Sequence, residues 1–368
     1  MALSGRMPSR TRPPEGRAIR ALLGAAVAAA LAGGVLAGCG SSSATEADSR
    51  SPVGTVPVTM TTETPNGPEP AVRALVHVRV GGGPSVPVLL DTGSPGLRVL
   101  PSVVGPKSEL TGRTIKAEFG GGETLVGPVA RARVTVGSLS TPSPIAFQVI
   151  KGVDCPSKEP RCKPSEYLKA LFRDIGAEGI MGIDTGDKFR QRVFSPLLQL
   201  GAPYSEGFSL KLAAKGSGKL ILGPPPIEPG TMTAPLTRSP TPAEYPSGGL
   251  AYKRSLRMCW SASDVTSCRV TDFDIGTPTT VVSPSALLNV PTVTVSGGRI
   301  VAPGTPISIH APGFGPVVWH YTANTSYGDG LTQISTGGGK GFNTGIVPFY
   351  SHTIGWNVRT GQIVISPK

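Results

Sequence analysis

Aromatic residues are scarce in this chain of 368, at 5%, and charged residues reach only 16%. A net charge of +12 comes without any basic cluster interleaved with aromatics, so the footprint of a nucleic-acid surface is missing and no nucleic-acid partner is expected. The four histidines, His77, His310, His320 and His352, fall at no metal-ligand spacing; neither a metal nor another cofactor is implied. No Gly-x-Ser-x-Gly turn presents a serine nucleophile. Gly337-Gly338-Gly339-Lys340-Gly341 lacks the Ser or Thr that follows the lysine of a phosphate loop, and reads as a plain loop. The apolar run from Ala21 to Val35 is short for a membrane span. What abounds is glycine, 49, and proline, 38, nearly a quarter of the chain, which disfavours a helical bundle and favours many short strands joined by turns. Length and a hydrophobic content of 39% suffice for a sizeable core, and Trp260, Trp319 and Trp356 are expected in it or at its rim.

The amino terminus has the layout of an export signal. Arg6, Arg10, Arg12, Arg17 and Arg20 precede the apolar run, and Leu36-Ala37-Gly38-Cys39 follows it. This resembles a bacterial lipobox, which implies a signal over residues 1–38 and acylation of Cys39. The chain is then exported and held at the bacterial membrane surface or cell envelope. Four cysteines remain, in two local pairs, Cys155 with Cys162 and Cys259 with Cys268. Two small loop disulfides suit an oxidising compartment, and a four-cysteine zinc site fits less well because neither gap is tight. Between Gly40 and Pro70, Gly, Ser, Thr and Pro supply 19 of 31 residues without apolar periodicity, so residues 39–71 read as a flexible tether.

The folded part is expected to begin at Val72. Val76, Val78 and Val80 alternate with polar residues as in a strand, and Val86 to Leu90 form a second one that ends in Asp91-Thr92-Gly93-Ser94. A carboxylate set straight after apolar strand residues, with glycine behind it, sits on a sharp loop leaving a core. Another Asp-Thr-Gly at Asp184-Thr185-Gly186 reads as a solvated turn. Thr114 to Phe119 and Thr124 to Val126 read as a hairpin around a glycine tip. Tyr167, Leu168, Leu171, Phe172 and Ile175 share one helical face, and Ser195-Pro196 starts a short helix that Gly201 stops. In the second half, Phe273-Asp274-Ile275-Gly276-Thr277 followed by Val281-Val282-Ser283-Pro284-Ser285 echoes Leu90 to Ser94 followed by Val99-Leu100-Pro101-Ser102. The chain repeats itself internally.

In that order of elements the sequence resembles the pepsin-like aspartic proteases. Leu89 to Ser94, Gly179-Ile180-Met181-Gly182, Ser195 to Gly201, Phe208-Ser209-Leu210 and Leu220-Ile221-Leu222-Gly223 match the family's amino-terminal lobe in turn, and Tyr350 to Ile365 resembles its closing hairpin. Asp91 to Arg98 also looks like a run found in uncharacterised bacterial exported proteins. The resemblance implies a mainly β, bilobal pepsin-like acid protease fold, with two pseudo-symmetric β lobes over 72–235 and 236–368 and a central cleft. It implies a catalytic dyad of Asp91 and Asp274, supported by Thr92, Gly93, Ser94, Gly276 and Thr277, under a flap at Phe119, Gly120 and Gly121. The expected activity is endopeptidase, the partner a peptide or protein substrate, the state a monomer.

Three departures from the family stand out. Ile275 replaces the second Thr, so Thr92 faces no hydroxyl. Phe119 occupies the flap position usually held by Tyr. Asn343-Thr344-Gly345 stands opposite Ile180-Met181-Gly182, polar where apolar residues are expected. They leave a second reading open, a catalytically inactive peptide-binding lipoprotein of the same fold.

Overall fold

The structure, a computed structural model, describes residues 54–63, 71–120, 123–155, 163–168, 172–186, 192–239, 245, 250–295, 298–326, 329–335 and 341–368. The signal over 1–38, Cys39, Gly121, Cys162 and residues 337–340 lie outside the described residues.

The expected tether gives way at Gly54 to a strand, β1 (Gly54–Glu63). It sits inside the first sheet, antiparallel to Ser217–Leu222 on one side and to β2 (Ala71–Val80) on the other. Its composition disguised it. Val56 and Val58 point inward and are buried, while Thr55, Pro57 and Thr59 alternate outward. Threonine is β-branched and suits a pleated strand as well as a loose tether. The folded unit therefore already includes Gly54 and does not wait for Val72.

From β2 the chain turns into β3 (Ser85–Asp91), passes the Asp91 loop and enters β4 (Pro95–Val99). The hairpin that follows, β5 (Glu109–Glu118) and β6 (Thr124–Ala132), is longer than its sequence pattern indicated. The helix expected around Tyr167 is short, Pro164–Leu168, with residues 169–171 outside the described set and Phe172 and Ile175 buried beyond it. The short helix expected after Ser195 is a single tight turn over Leu197–Gln199. Leu197, Leu198 and Leu200 are buried as their spacing indicated.

Among the described residues two sheets result, the first of sixteen strands and the second of nine. In the first, the strand Gly179–Ile183 lies between β3 and β4, parallel to the former with Gly182 beside Asp91 and antiparallel to the latter. In the second, Phe342–Asn343 lies parallel to Val265–Asp272 and antiparallel to Thr280–Val282 in the same manner. The repeat legible in sequence is thus a repeat of strand pairing around each aspartate.

The closing strands His352–Asn357 and Gln362–Pro367 do not stay with the second half. They join the first sheet, where His352–Asn357 pairs with Gly207–Lys211 and the Trp356 ring stacks on Phe208 at 5.1 Å. A boundary at 236 for the two lobes therefore misassigns the carboxy-terminal hairpin. Ile363, Val364 and Ile365 are all buried there, on a strand paired with Met232–Pro235 on one side and His352–Asn357 on the other. One continuous core runs from Val56 and Val78 through Leu90 and Leu97 to Phe273, Ile275 and Ile346. Trp260, Trp319 and Trp356 are all part of it.

Candidate active site

Each half delivers one carboxylate on a loop leaving that core. Asp91 ends β3, and Asp274 follows the strand Val265–Asp272 by two residues; both are largely buried, at 6% and 9% exposure. The loops are built alike. Gly93 N–H donates to Asp91 Oδ1 at 2.6 Å, and Gly276 N–H donates to Asp274 Oδ1 at 2.9 Å. Ser94 Oγ donates to Asp91 Oδ2 at 2.5 Å, and Thr277 Oγ1 donates to Asp274 Oδ2 at 2.9 Å.

The carboxyls face each other across the two glycines. A Cβ on Gly93 would stand 2.4 Å from Asp274 Oδ1, and one on Gly276 would stand 2.4 Å from Asp91 Oδ1 and 3.1 Å from Asp274 Oδ1. Any side chain there would occupy the space of the facing carboxylate. Only glycine lets both acids reach one small volume. In that volume burial first, and then the charge of Asp274, push Asp91 up to about 7, against the opposing pull of Ser94, Gly93 and Arg254.

The three departures resolve differently. Thr92 makes both of its bonds without a facing hydroxyl: Thr92 Oγ1 donates to the Phe273 carbonyl at 2.7 Å and accepts from Ile275 N–H at 2.9 Å. A backbone grip across the halves needs only the main chain of residue 275, and the Ile275 side chain is fully buried in the shared core. Asn343 is polar for a local reason. Its Nδ2 donates to Asp274 Oδ2 at 2.8 Å, giving that carboxylate a third donor. Phe119 is half-buried and packs against a second apolar cluster with Leu75, Leu89, Leu125 and Ile180. Gly120 beside it is exposed.

Several charged groups around the pair went unnoticed in the sequence. Arg73 Nη1 on β2 donates to the Gly276 carbonyl at 2.6 Å. Arg98 on β4 is 2% exposed, and burial brings it down to about 10 while the charge of Asp91 works the other way. A cation between Leu97 and Val99 in a strand of otherwise apolar and small residues was the available signal. Asp184, expected in a solvated turn, is instead buried. Its Oδ1 accepts from Gly186 N–H at 2.8 Å, and its Oδ2 from Arg254 Nη1 at 2.7 Å. Thr185 holds the incoming segment in place, since its carbonyl accepts from Tyr252 N–H and from the Tyr245 hydroxyl, both at 2.9 Å. That segment carries Arg254, which also reaches Asp272 at 3.4 Å. Burial pulls Arg254 down, but the charges of Asp184, Asp272 and Asp274 more than reverse this and raise it. Burial also raises Asp272.

Away from the pair, Cys259 and Cys268 stand opposite each other on Leu256–Ala262 and Val265–Asp272 and form a disulfide. Cys155 is disulfide-bonded, and its expected partner Cys162 is not among the described residues.

These features define a pepsin-like acid protease fold. Residues 54–242 match the family model of the PE-PGRS C-terminal aspartyl peptidase-like domain, and the chain belongs to that family. Among solved structures it is similar to an aspartic proteinase from Irpex lacteus, with 14% identity and a TM-score of 0.55 over 86% of this chain and 98% of that one. At that identity the likeness speaks for the fold. No curated protein matches the sequence.

Proposed function

We propose that the chain is an aspartic endopeptidase whose Asp91 and Asp274 activate a water against a peptide carbonyl. The observation that carries this reading is the pair of carboxyls aimed at one volume across Gly93 and Gly276. Two buried carboxyls so close share a proton and titrate as a unit. Asp274 accepts three hydrogen bonds and Asp91 two, and Asp91 is the member pushed up to about 7, so Asp91 carries the shared proton. Asp274 then takes a proton from the water while Asp91 donates to the scissile carbonyl, general acid–base hydrolysis without a covalent intermediate. The grip of Thr92 on Phe273 and Ile275, together with the Asn343 donor, supports a rigid working pair. We place the enzyme outside the bacterial cell as a monomer, tied to the membrane by lipid on Cys39, on the strength of Leu36 to Cys39 and the paired cysteines.

The test incubates the chain with a peptide library from acidic to neutral pH beside Asp274→Asn. Wild type is expected to cut, with activity falling above about pH 7 as Asp91 ionises, and the variant to lose at least a hundredfold in rate. A wild type that cuts nothing across the range overturns the reading, as does a variant that cuts equally well. The mass of the mature amino terminus tests the anchor: it must begin at Cys39 and carry acyl chains.

A further inference from the structure

Strand β4 is buried at all five positions, and four of them are Pro95, Gly96, Leu97 and Val99. The fifth is Arg98. Taking a guanidinium out of water costs several kcal/mol, and a well-packed apolar side chain usually serves a core better. Arg98 therefore needs partners that repay its burial. Its Nη1 donates to the Pro95 carbonyl at 2.6 Å and to the Gly96 carbonyl at 3.1 Å, the two residues that open β4 directly after the Asp91 loop. On its other side the guanidinium carbon lies 5.8 Å from the centre of the Phe119 ring, within reach of a cation–π contact. Phe119 is the last residue before the tip of the β5–β6 hairpin, where its N–H donates to the Glu123 carbonyl at 2.9 Å. One buried cation thus touches both the strand start that the Asp91 loop runs into and the residue at the end of the β5 arm of the hairpin.

We propose that Arg98 is a positioning residue that couples the β5–β6 hairpin to the start of β4, directly behind the Asp91 loop, by seating Phe119 beside its guanidinium. This rests on the peptidase reading for its effect on turnover. The same cation also bears on the charge around the pair. The groups around the pair are the carboxyls of Asp91, Asp274, Asp184 and Asp272 and the guanidiniums of Arg73, Arg98 and Arg254. With one proton shared by Asp91 and Asp274 the set is neutral. Without Arg98 it carries a net negative charge, and the pair takes up its protons at higher pH. Without the guanidinium, Phe119 loses its seat and its backbone hydrogen bond to Glu123 opens more often.

The experiment compares the full chain with Arg98→Met, Arg98→Lys, Phe119→Leu and the Arg98→Met/Phe119→Leu double variant. Two readouts are independent of cleavage. Carbon-13 titration of the aspartate carboxyls should show the Asp91–Asp274 pair moving upward by about one pH unit in Arg98→Met and staying near wild type in Arg98→Lys. Hydrogen exchange at the Phe119 amide should quicken about tenfold in Arg98→Met. On a cleaved peptide, the whole pH profile of Arg98→Met should move upward. Phe119→Leu should raise KM with little change in kcat, and less so when Arg98 is already replaced by methionine. Unmoved titration and exchange in a folded Arg98→Met overturn the proposal whether or not any peptide is cut. Absence of cleavage with both readouts moved overturns only the peptidase reading. If Arg98→Met fails to fold, Phe119→Leu carries the test, because exchange at residue 119 no faster than wild type refutes the seat.

Discussion

Asp91 is a buried acid that costs stability once it ionises, so replacing it with asparagine should stabilise the protein at alkaline pH. Its carboxyl moves from 3.8 when exposed to about 7 in the fold. A raised carboxyl favours the folded state below pH 3.8, and that contribution is lost as pH climbs through 7, because the unfolded chain gives up the proton first. Each pH unit in that window removes about 1.4 kcal/mol, so the whole shift is worth on the order of 4 kcal/mol. The asparagine side chain keeps an oxygen for the Gly93 N–H, and the Ser94 hydroxyl reverses to accept from the amide, so the local loss is about 1 kcal/mol. Urea unfolding at intervals between pH 4 and 8 should show wild type weakening with a slope that Asp91→Asn lacks. At pH 8 the variant should be the more stable protein by about 3 kcal/mol, the shift less the local loss. Parallel curves for the two proteins would refute the burial and charge argument.

Two other outcomes test the architecture. Thr92→Val strips the Phe273 carbonyl and the Ile275 amide of their partner, so it should cost about 3 kcal/mol in thermal unfolding, with Thr92→Ser restoring most of it. A chain starting at Val72 lacks β1 and opens an unpaired edge on both Ala71–Val80 and Ser217–Leu222. It should aggregate on gel filtration, whereas a chain starting at Gly54 remains monodisperse; equal behaviour would show β1 to be dispensable.

Much of this was written in local pattern. Valines at alternate positions marked β2, the apolar pair before Asp91 marked the end of β3, and Phe273 to Thr277 marked the second loop as a copy of the first. What escaped was the set of features whose cause lies elsewhere in the chain. Threonine and proline made β1 look like a tether because its partners are 8 to 168 residues away. The closing hairpin belongs to the first sheet because Phe208 and its neighbours accept Trp356 there. Ile275 looked like a lost hydroxyl, yet the grip uses its backbone, and no sequence distinguishes an amide that is reached from one that is not.

Three of the four Asp-x-Gly runs, at Asp91, Asp184 and Asp274, divide the two kinds of information; at the fourth, Asp174, the Gly176 N–H donates to the Arg173 carbonyl at 3.1 Å instead. At Asp91, Asp184 and Asp274 the glycine two residues on donates its N–H to the aspartate Oδ1, at 2.6, 2.8 and 2.9 Å. Local sequence makes that turn available, because a short carboxylate side chain can accept from the backbone two residues on and glycine fits the bend. Tertiary structure decided what each carboxylate became. Asp184 was brought against Arg254, and the two form an ion pair. Asp91 was brought against Asp274 in a buried site, and burial first, then the neighbouring anion, makes it hold its proton. The same three residues make a fastener in one place and half of an acid–base pair in the other, because the charge that stands opposite is set by chain folding.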